Sequence, residues 1–479
     1  MPYAHSLSPI LLHAFLCYNN LMQKASKIIT IVFLCAFIAL FAFYVVNSMA
    51  SPLGIFAAAL SLGLFGACTA FVVPRFFASL KTDELSPPNA MLGPRSARFS
   101  RVHPWAQIVV AVLVSRIFLF FIAWLISTLI QGYKGGMLDT LESLWLRTDS
   151  PSYLGLAERW YVTEGDPRFH IVFFPFYPVM IRAFSYITGG YFSSAMLVST
   201  VCASIAAVYL YELCALEMPR KGALRAVKYL FLLPAAFFFA APMTESLFLL
   251  LSVASMYYLR KKHVFVSCIL AALAGFTRSA GILLLIPIAV EGILNLSKLH
   301  REGNRAEFIK DLIKRIACLL IVPLGLIGYL YINYAVWGDS LTFLEVQRDH
   351  WGQGLGYFFN TAAYQTDYAV NAAKTGDTRL LFTLFVPNLI ASFLSLSVMV
   401  YGAKNLRPSY MLYFLGYFAF SIGATWLLSA PRYLAAAFPL PIALSYLTQH
   451  KRVDIPLTIL LLLVQCAYLG AYVLGGAVY

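Results

Sequence analysis

Charged residues are scarce in this chain. Only 12% of its 479 residues are Asp, Glu, Lys or Arg, whereas 61% are hydrophobic, and the mean hydropathy is +0.76. Soluble proteins of ordinary composition carry about 25% charged residues. The composition therefore excludes a soluble protein and predicts an all-α protein that crosses a membrane many times.

Motifs for disulfide, zinc and nucleotide chemistry are also absent from the sequence. The eight cysteines show neither CxxC nor Cys/His spacing, so we expect no disulfide framework and no zinc site. No GxxxxGKS/T loop occurs, and no GxGxxG follows a predicted strand. Hydrolysis of a cytoplasmic nucleotide is therefore not suggested.

Apolar runs are present along almost the whole chain. Because roughly 20 apolar residues suffice for a helix to cross the hydrocarbon core, we predict about thirteen spans. They cover roughly residues 28–49, 54–73, 105–131, 193–214, 229–241, 245–259, 264–278, 281–297, 316–336, 381–402, 409–428, 433–448 and 455–475. The runs between 229 and 297 are short, and we expect them to tilt, break or re-enter around a cavity.

Lys and Arg are distributed unevenly between the predicted loops. With the N-terminus inside, the short inner loops carry most of them, which agrees with the retention of basic residues on the cytoplasmic side. The net charge of +14 then reflects topology and contact with anionic lipid, and nucleic acid is not a predicted partner. Two long loops, at about 132–192 and 337–380, lie outside. Residues 1–77 are predicted as two N-terminal transmembrane helices, 78–104 as a basic cytoplasmic linker and 105–479 as the membrane core.

The first outer loop contains the strongest catalytic candidate. Asp149 lies in LRTDSPSYLGLAERW, and Tyr153 follows it. Transfer of a sugar from a lipid phosphate to a hydroxyl requires a carboxylate that takes the proton of the acceptor. We predict this role for Asp149, and an N-cap or turn residue is the alternative interpretation.

Aromatic residues follow in the same loop, in the run FFPFYP at residues 173–178. With His170, this run could shape a cleft for a sugar or a lipid, and Phe174 and Tyr177 are the predicted lining residues together with Tyr153. Anchoring at the membrane interface explains such aromatics equally well.

Three ionisable residues lie near the predicted outer ends of apolar helices. Glu245 begins an apolar run. Arg278 lies about fifteen residues, or roughly 22 Å of helix, after the inner cluster RKKH. Arg432 lies between the predicted spans 409–428 and 433–448. Ionisable groups in a membrane are costly and usually mark a site. We predict that the two arginines bind a lipid phosphate near Glu245. The alternatives are that Glu245 merely starts a helix and that Arg278 is its structural partner. Arg116 is predicted to pair with a buried acid.

Five segments, in order and spanning about 105–450, carry a resemblance to a known family. They are RTDSPSYLGLAERW, FFPFYPVMIR, TESLFLLLSVASMYYLRKK with LAALAGFTRSAGILLLIP, WGDSLTFLEVQRDHW, and SAPRYLAAAFPLPIAL. On these segments the chain resembles the PIG-V-like mannosyltransferases, which are membrane glycosyltransferases with the GT-C fold. The resemblance implies a GT-C-like bundle in which an extracytoplasmic loop carries the catalytic carboxylate, Asp149.

The resemblance also implies the substrates and further site residues. The donor would be a polyprenyl or dolichyl phosphate mannose, and transfer would occur with inversion at the outer or luminal face. Glu245, Arg278 and Arg432 align with the TES, TR and PRY positions of the family, and Gln347 and Trp351 match its Q and W, which would contact donor or acceptor. One departure is Thr148, which stands where the family usually has Trp.

Taken together, these features predict a sugar transferase in the bilayer whose acceptor is a glycolipid, a glycan or a protein hydroxyl. The competing class is a transporter or flippase, since broken helices with intramembrane Arg and Glu are typical of those proteins too, although no repeated halves are visible. No cofactor is assigned. Four acids of the first outer loop could help bind a divalent metal ion, but they lack the spacing of metal ligands, and solvation of the loop explains them better: Asp139, Glu142, Glu164 and Asp166. The expected location is a prokaryotic cytoplasmic membrane, or the endoplasmic reticulum if the source is eukaryotic.

Overall fold

The computed structural model describes residues 9–81 and 104–479, with the side chains of the first helix from Lys24 onward. Helices dominate these two ranges, which contain no β-sheet, and one isolated β-bridge joins Leu355 to Ala424. The prediction of an all-α protein that crosses a membrane several times is confirmed.

The α-helices of the described ranges have the following bounds. In chain order they are α1 (Pro9–Asn47), α2 (Pro52–Ser79), α3 (Pro104–Gln131), α4 (Leu141–Trp145), α5 (Ser150–Arg159), α6 (Phe176–Thr188), α7 (Tyr191–Ala215), α8 (Arg220–Leu232), α9 (Glu245–Arg260), α10 (Val264–Thr277), α11 (Leu285–Arg301), α12 (Arg305–Leu319), α13 (Leu324–Trp337), α14 (Thr342–Asp349), α15 (Phe358–Thr375), α16 (Thr378–Leu380), α17 (Val386–Gly402), α18 (Pro408–Ile422), α19 (Ala430–Ala435), α20 (Pro439–Leu447) and α21 (Lys451–Val473). Short 3₁₀ segments cover Asp166–Val172, Ala236–Phe239 and Ser279–Leu284, and a π-helical turn covers Leu381–Phe385.

The predicted count of thirteen spans is not confirmed. Within the described ranges, eight helical segments are long and apolar enough to cross a membrane, or nine if the bent pair Asp166–Val172 and Phe176–Thr188 counts as one span. The other predicted spans are shorter helices: α9 has 16 residues, α10 has 14 and α18 has 15. At ~1.5 Å per residue they reach about 24 Å or less, which falls short of a hydrocarbon core of about 30 Å.

The region between residues 229 and 297 is broken, as its short apolar runs suggested. α8 ends at Leu232, and the chain then passes through a 3₁₀ turn before α9 begins at Glu245. α10 ends at Thr277, and Arg278 is extended, with φ of −154° and ψ of 145°. These two interruptions place Glu245 and Arg278 at helix ends instead of within continuous helices.

The N-terminal helices are attached to the rest of the protein mainly through α2, and Tyr44 of α1 also packs edge-on against Phe359 of α15 at 5.3 Å. Half of the residues in the most apolar stretch of α2 are buried, whereas in the most apolar stretch of α1 none is buried. The hydroxyl of Ser51 caps α2 by accepting the N–H of Gly54 at 3.1 Å, and Asp367 of α15 accepts the N–H of Ser51 at 3.1 Å. The division into residues 1–77, 78–104 and 105–479 remains a prediction, and residues 82–103 of the linker lie outside the described ranges.

Helix α9 lies at the centre of the bundle, against α7 and α10. At its C-terminal end Arg260 pairs with Glu217, and nearby Arg407 binds both oxygens of Glu291 at 3.0 Å each. Buried charges are tolerated when they are paired in this way. The N-terminal end of α9 is Glu245, so this short helix has an ion network at one end and a buried carboxylate at the other.

Candidate active site

Asp149 occupies the N-cap position of α5, but its side chain makes no capping hydrogen bond. Its Oδ2 instead lies 2.8 Å from Nη1 of Arg432, and 28% of the Asp149 side chain is exposed. Asp149 therefore stands at the N-cap position, but its carboxylate contacts Arg432 and does not cap the helix.

Thr148, directly before Asp149, has an unusual backbone conformation. Its φ is +54°, in the left-handed region that β-branched residues rarely adopt. Its hydroxyl donates to the carbonyl of Arg147 at 2.8 Å. Thr148 therefore adopts a strained backbone conformation directly before Asp149.

Arg432 lies almost fully buried on α19, between two carboxylates. Its Nε is 3.3 Å from Oε1 of Glu245, and its side chain is 7% exposed. The guanidinium lies 5.5 Å from the ring centroid of Phe238 and 5.4 Å from that of Tyr433, within the range of cation–π attraction. Arg432 is thereby held in place by charge on two sides and by aromatic rings.

Arg278 contacts the same carboxylate from the other side. Its Nη1 donates to Oε1 of Glu245 at 2.6 Å and reaches the hydroxyl of Thr244 at 3.5 Å. The Nε and Nη2 atoms make no hydrogen bond to another described residue, and 17% of the side chain is exposed. The side chain of Arg278 is also more exposed than that of Arg432, at 17% against 7%, so Arg278 is the more accessible of the two to an anion.

The four residues form a continuous chain of charges, Asp149–Arg432–Glu245–Arg278, which we call the charged network. They come from the start of α5, the start of α9, the end of α10 and α19, so the fold gathers residues that lie up to 283 positions apart. Two acids and two arginines make the network neutral. Both alternatives for Glu245 hold in part, because this residue begins α9 and also pairs with Arg278.

Tyr153 lies beside the charged network, one turn along α5 from Asp149. Burial raises the pKa of its phenol, and the nearby carboxylates of Asp149 and Glu245 raise it further. The raised pKa keeps the hydroxyl protonated at still higher pH than in an ordinary tyrosine, so it can donate a hydrogen bond. The ring of Tyr153 meets that of Phe173 edge-on at 5.1 Å, and Phe173 meets Trp351 at 6.1 Å. This aromatic contact brings the two long predicted outer loops together.

The other predicted cleft residues make mainly packing contacts. Phe174 stacks on Tyr329 at 3.9 Å, and Tyr177 is fully buried with its hydroxyl 2.9 Å from that of Ser199. The ring of His170 lies 5.9 Å from Phe173. The amide of Gln347 donates to Gln353 at 2.7 Å. Contact of these residues with a sugar stays a prediction.

Several neighbours of the charged network were not predicted. The aromatic faces of Phe238 and Tyr433 lie beside Arg432, and the sulfur of Met243 is 3.6 Å from its Nη1. Tyr433 could have been proposed because it follows Arg432 in the chain. Phe238 lies among three consecutive phenylalanines, and nothing in the sequence distinguishes it from the other two.

A cavity of about 580 Å³ lies behind α5. It is lined by Pro151, Leu154 and Glu158 among others, which share one face of the helix. At 3.6 residues per turn this is the face opposite to Asp149 and Tyr153. The cavity is therefore separate from the charged network. In the described part of the chain, no group of three or more His, Cys, Asp or Glu side chains is arranged to hold a metal ion.

Comparison with known proteins agrees with the resemblance seen in the sequence. The family described as Mannosyltransferase (PIG-V) matches residues 153–342. This range contains Glu245 and Arg278, whereas Asp149 and Arg432 lie outside it. No significant match is found among curated proteins.

Among solved structures, the chain is similar to ArnT from Cupriavidus metallidurans, which was determined bound to undecaprenyl phosphate. The identity is 12% and the TM-score 0.45, over 74% of this chain and 62% of that one. The chain thus corresponds to less than two thirds of the length of ArnT.

Proposed function

We propose that this chain, whose residues 153–342 match the PIG-V mannosyltransferases, is a membrane glycosyltransferase that uses a lipid-linked sugar. It transfers the sugar, mannose by its family match, from a polyprenyl phosphate to an acceptor hydroxyl at the extracytoplasmic face, with inversion. The acceptor is a glycolipid, a glycan or a protein. The observation that carries the proposal is the charged network, which combines a partly exposed carboxylate with an arginine that retains unpaired donors.

Asp149 acts as the general base in this proposal. The acceptor oxygen attacks C1 of the sugar while its proton passes to Asp149, and the bond between C1 and the phosphate oxygen breaks with its electron pair going to the phosphate. A single displacement of this kind inverts the configuration at C1. Arg432 holds Asp149 at 2.8 Å, so the carboxylate is oriented before the acceptor meets it.

Arg278 stabilises the departing phosphate. A sugar phosphodiester has one negative charge, and the released lipid phosphate has more, so a cation beside it binds the transition state more strongly than the donor. The Nε and Nη2 atoms of Arg278 supply that interaction, while Glu245 fixes the guanidinium through Nη1 at 2.6 Å. Glu245 also contacts Arg432, so it aligns both cations. Tyr153, Gln347 and Trp351 are the proposed contacts for sugar or acceptor.

A transporter or flippase is the second candidate. The interruptions after Leu232 and after Thr277, each beside a buried charge, are features that transporters also use. Such a protein would move a lipid-linked or small polar substrate without forming a new glycosidic bond.

The test is a transfer assay with purified protein in proteoliposomes. Radiolabelled polyprenyl phosphate mannose is supplied with membrane acceptors, and transfer by the wild type is compared with Asp149→Asn and with Asp139→Asn as a matched control. Asp139 lies in the same predicted outer loop and binds only a local N–H, that of Gly136 at 3.0 Å. We expect Asp149→Asn to lose about 10²- to 10⁴-fold in rate, the usual contribution of a general base, and Asp139→Asn to retain its rate. Label that crosses the bilayer without any transfer by the wild type would support the transporter instead.

A further inference from the structure

Arg116 is a buried cation that the proposed chemistry does not use. It lies within α3 and is 4% exposed. The prediction of a buried acid as its partner is wrong, since Arg116 forms no ion pair within residues 9–81 and 104–479. Its Nη2 donates to the carbonyl of Ser199 at 2.8 Å and to that of Phe239, and its Nε and Nη1 have no hydrogen-bond partner in the same ranges. A charge inside a membrane bundle is costly, so an arginine that contacts two carbonyls and no acid is expected to have a specific role.

The carbonyl of Phe239 belongs to the interruption between α8 and α9, residues 233–244. A chain that leaves the α-helix inside a membrane protein exposes carbonyls that other groups must satisfy. Three side chains meet this need here. Arg116 and Ser246 both donate to the carbonyl of Phe239, and Ser199 donates to that of Ala241 at 2.8 Å. The hydroxyl of Tyr177 lies 2.9 Å from that of Ser199. We call Arg116 and Ser199, which donate to the segment from α3 and α7, the carbonyl clamp.

The segment and Glu245, the residue directly after it, supply three contacts of the charged network. Phe238 presents its ring to the guanidinium of Arg432 at 5.5 Å, and Met243 places its sulfur 3.6 Å from Nη1 of the same residue. Glu245 follows directly and pairs with both arginines. A shift of the segment would therefore move the ring, the sulfur and the carboxylate that locate Arg432, although no clamp residue contacts Asp149, Arg432 or Glu245 by a hydrogen bond.

We propose that the carbonyl clamp positions residues 233–245, and that Arg116 is a positioning residue for the charged network. The structural part of this inference is independent of the reaction, and its effect on catalysis rests on the proposed function. The clamp holds the non-helical segment at one end against α3 and α7, so that Glu245 and Phe238 keep the geometry that aligns Arg432 with Asp149.

The experiment combines kinetics with hydrogen–deuterium exchange on purified protein in nanodiscs. The variants are Arg116→Met, Arg116→Lys and Ser199→Ala. The control is Ser204→Ala, also a buried serine of α7, whose hydroxyl donates only within its own helix, to Thr200 at 2.8 Å. Lysine retains the charge and three donors, so it should keep part of the clamp.

We expect Arg116→Met to lower kcat by about 10²-fold, as a displacement of roughly 1 Å in an active site does, with a smaller change in donor KM. Ser199→Ala should lower kcat by about fivefold, the fold-change of one neutral hydrogen bond, and Arg116→Lys should lie between the two. Exchange should rise in peptides covering residues 236–248 and stay unchanged in α13. Ser204→Ala should match the wild type in both measurements.

Two results would overturn the inference. One is an Arg116→Met or Ser199→Ala protein with wild-type kcat and wild-type exchange in residues 236–248. The other is an increase in exchange that is equal across all helices, which would indicate a general loss of stability. If Arg116→Met does not fold, Ser199→Ala decides. If the wild type transfers no sugar, the proposed function fails, while the exchange data still test the clamp.

Discussion

The neutrality of the charged network leads to a prediction that can be tested without any substrate. Asp149 and Glu245 balance Arg278 and Arg432, and Glu245 is 2% exposed while Arg278 is 17% exposed. Glu245→Gln leaves one positive charge in excess, and Arg278→Met leaves one negative charge in excess. The double variant is neutral again.

The expected magnitudes follow from this burial. Removing one partner of a buried ion pair costs about 3–5 kcal/mol, because the other charge remains uncompensated. The loss of stability in Glu245→Gln should lie near the lower end of this range, since the amide oxygen can still accept a hydrogen bond from Nη1 of Arg278. Arg278→Met should cost somewhat less, because Glu245 keeps Arg432 at 3.3 Å. The double variant should cost less than the sum of the two, by roughly 2 kcal/mol, within the range measured for contacting residues.

The assay is thermal unfolding in nanodiscs, followed by tryptophan fluorescence, for the wild type, the two single variants and the double variant. We expect the decrease in Tm of the double variant to be clearly smaller than the sum of the decreases of the single variants. Decreases that simply add would refute the reasoning, because they would mean that the two charges do not interact across 2.6 Å. Asp139→Asn, which removes a charge outside the network, should leave Tm unchanged.

Three further predictions concern single contacts. Arg278→Met should weaken the binding of polyprenyl phosphate by about 10- to 100-fold, the equivalent of a hydrogen bond to a charged group, and Arg278→Lys should weaken it less; equal binding by all three proteins in a lipid-phosphate titration would argue against a phosphate role. Thr148→Gly should raise Tm slightly, because glycine adopts a φ of +54° without the steric cost of a β-branched residue; a lower Tm would show that the turn is not strained. Ser51→Ala should cost about 1 kcal/mol, as other N-cap removals do, and Asp367→Asn should destabilise the same junction of α2 and α15; unchanged unfolding of both variants would show that this cap does not hold α2.

The candidate residues were identifiable in the sequence because a charge in an apolar run is conspicuous. Glu245, Arg278 and Arg432 each interrupt a hydrophobic stretch, and the cost of such groups in a membrane is enough to indicate a role. Their partners were not identifiable. A lone charge shows that compensation is needed, and it does not show which of several distant charges provides it.

Arg116 illustrates this difference. The rule that a buried charge needs a partner predicted an acid, but the fold brings two backbone carbonyls to it. Every residue has a carbonyl, so the sequence gives no sign of which ones lack a helical partner. The predicted number of spans exceeds the eight or nine candidate spans of the described ranges for a related reason. Hydropathy measures whether a run can be buried, and runs buried by protein, such as α9, look like runs buried by lipid.

The class of the protein, the approximate position of its apolar helices, and the residues whose charge is costly in a membrane could all be read from composition and local order. How those charges combine depends on the packing of the helices. Asp149 meets Arg432 across 283 positions of the chain, and Glu245 lies between two arginines because two helices end inside the bundle. Such contacts depend on where helices stop and how they pack, and these are properties of the whole chain.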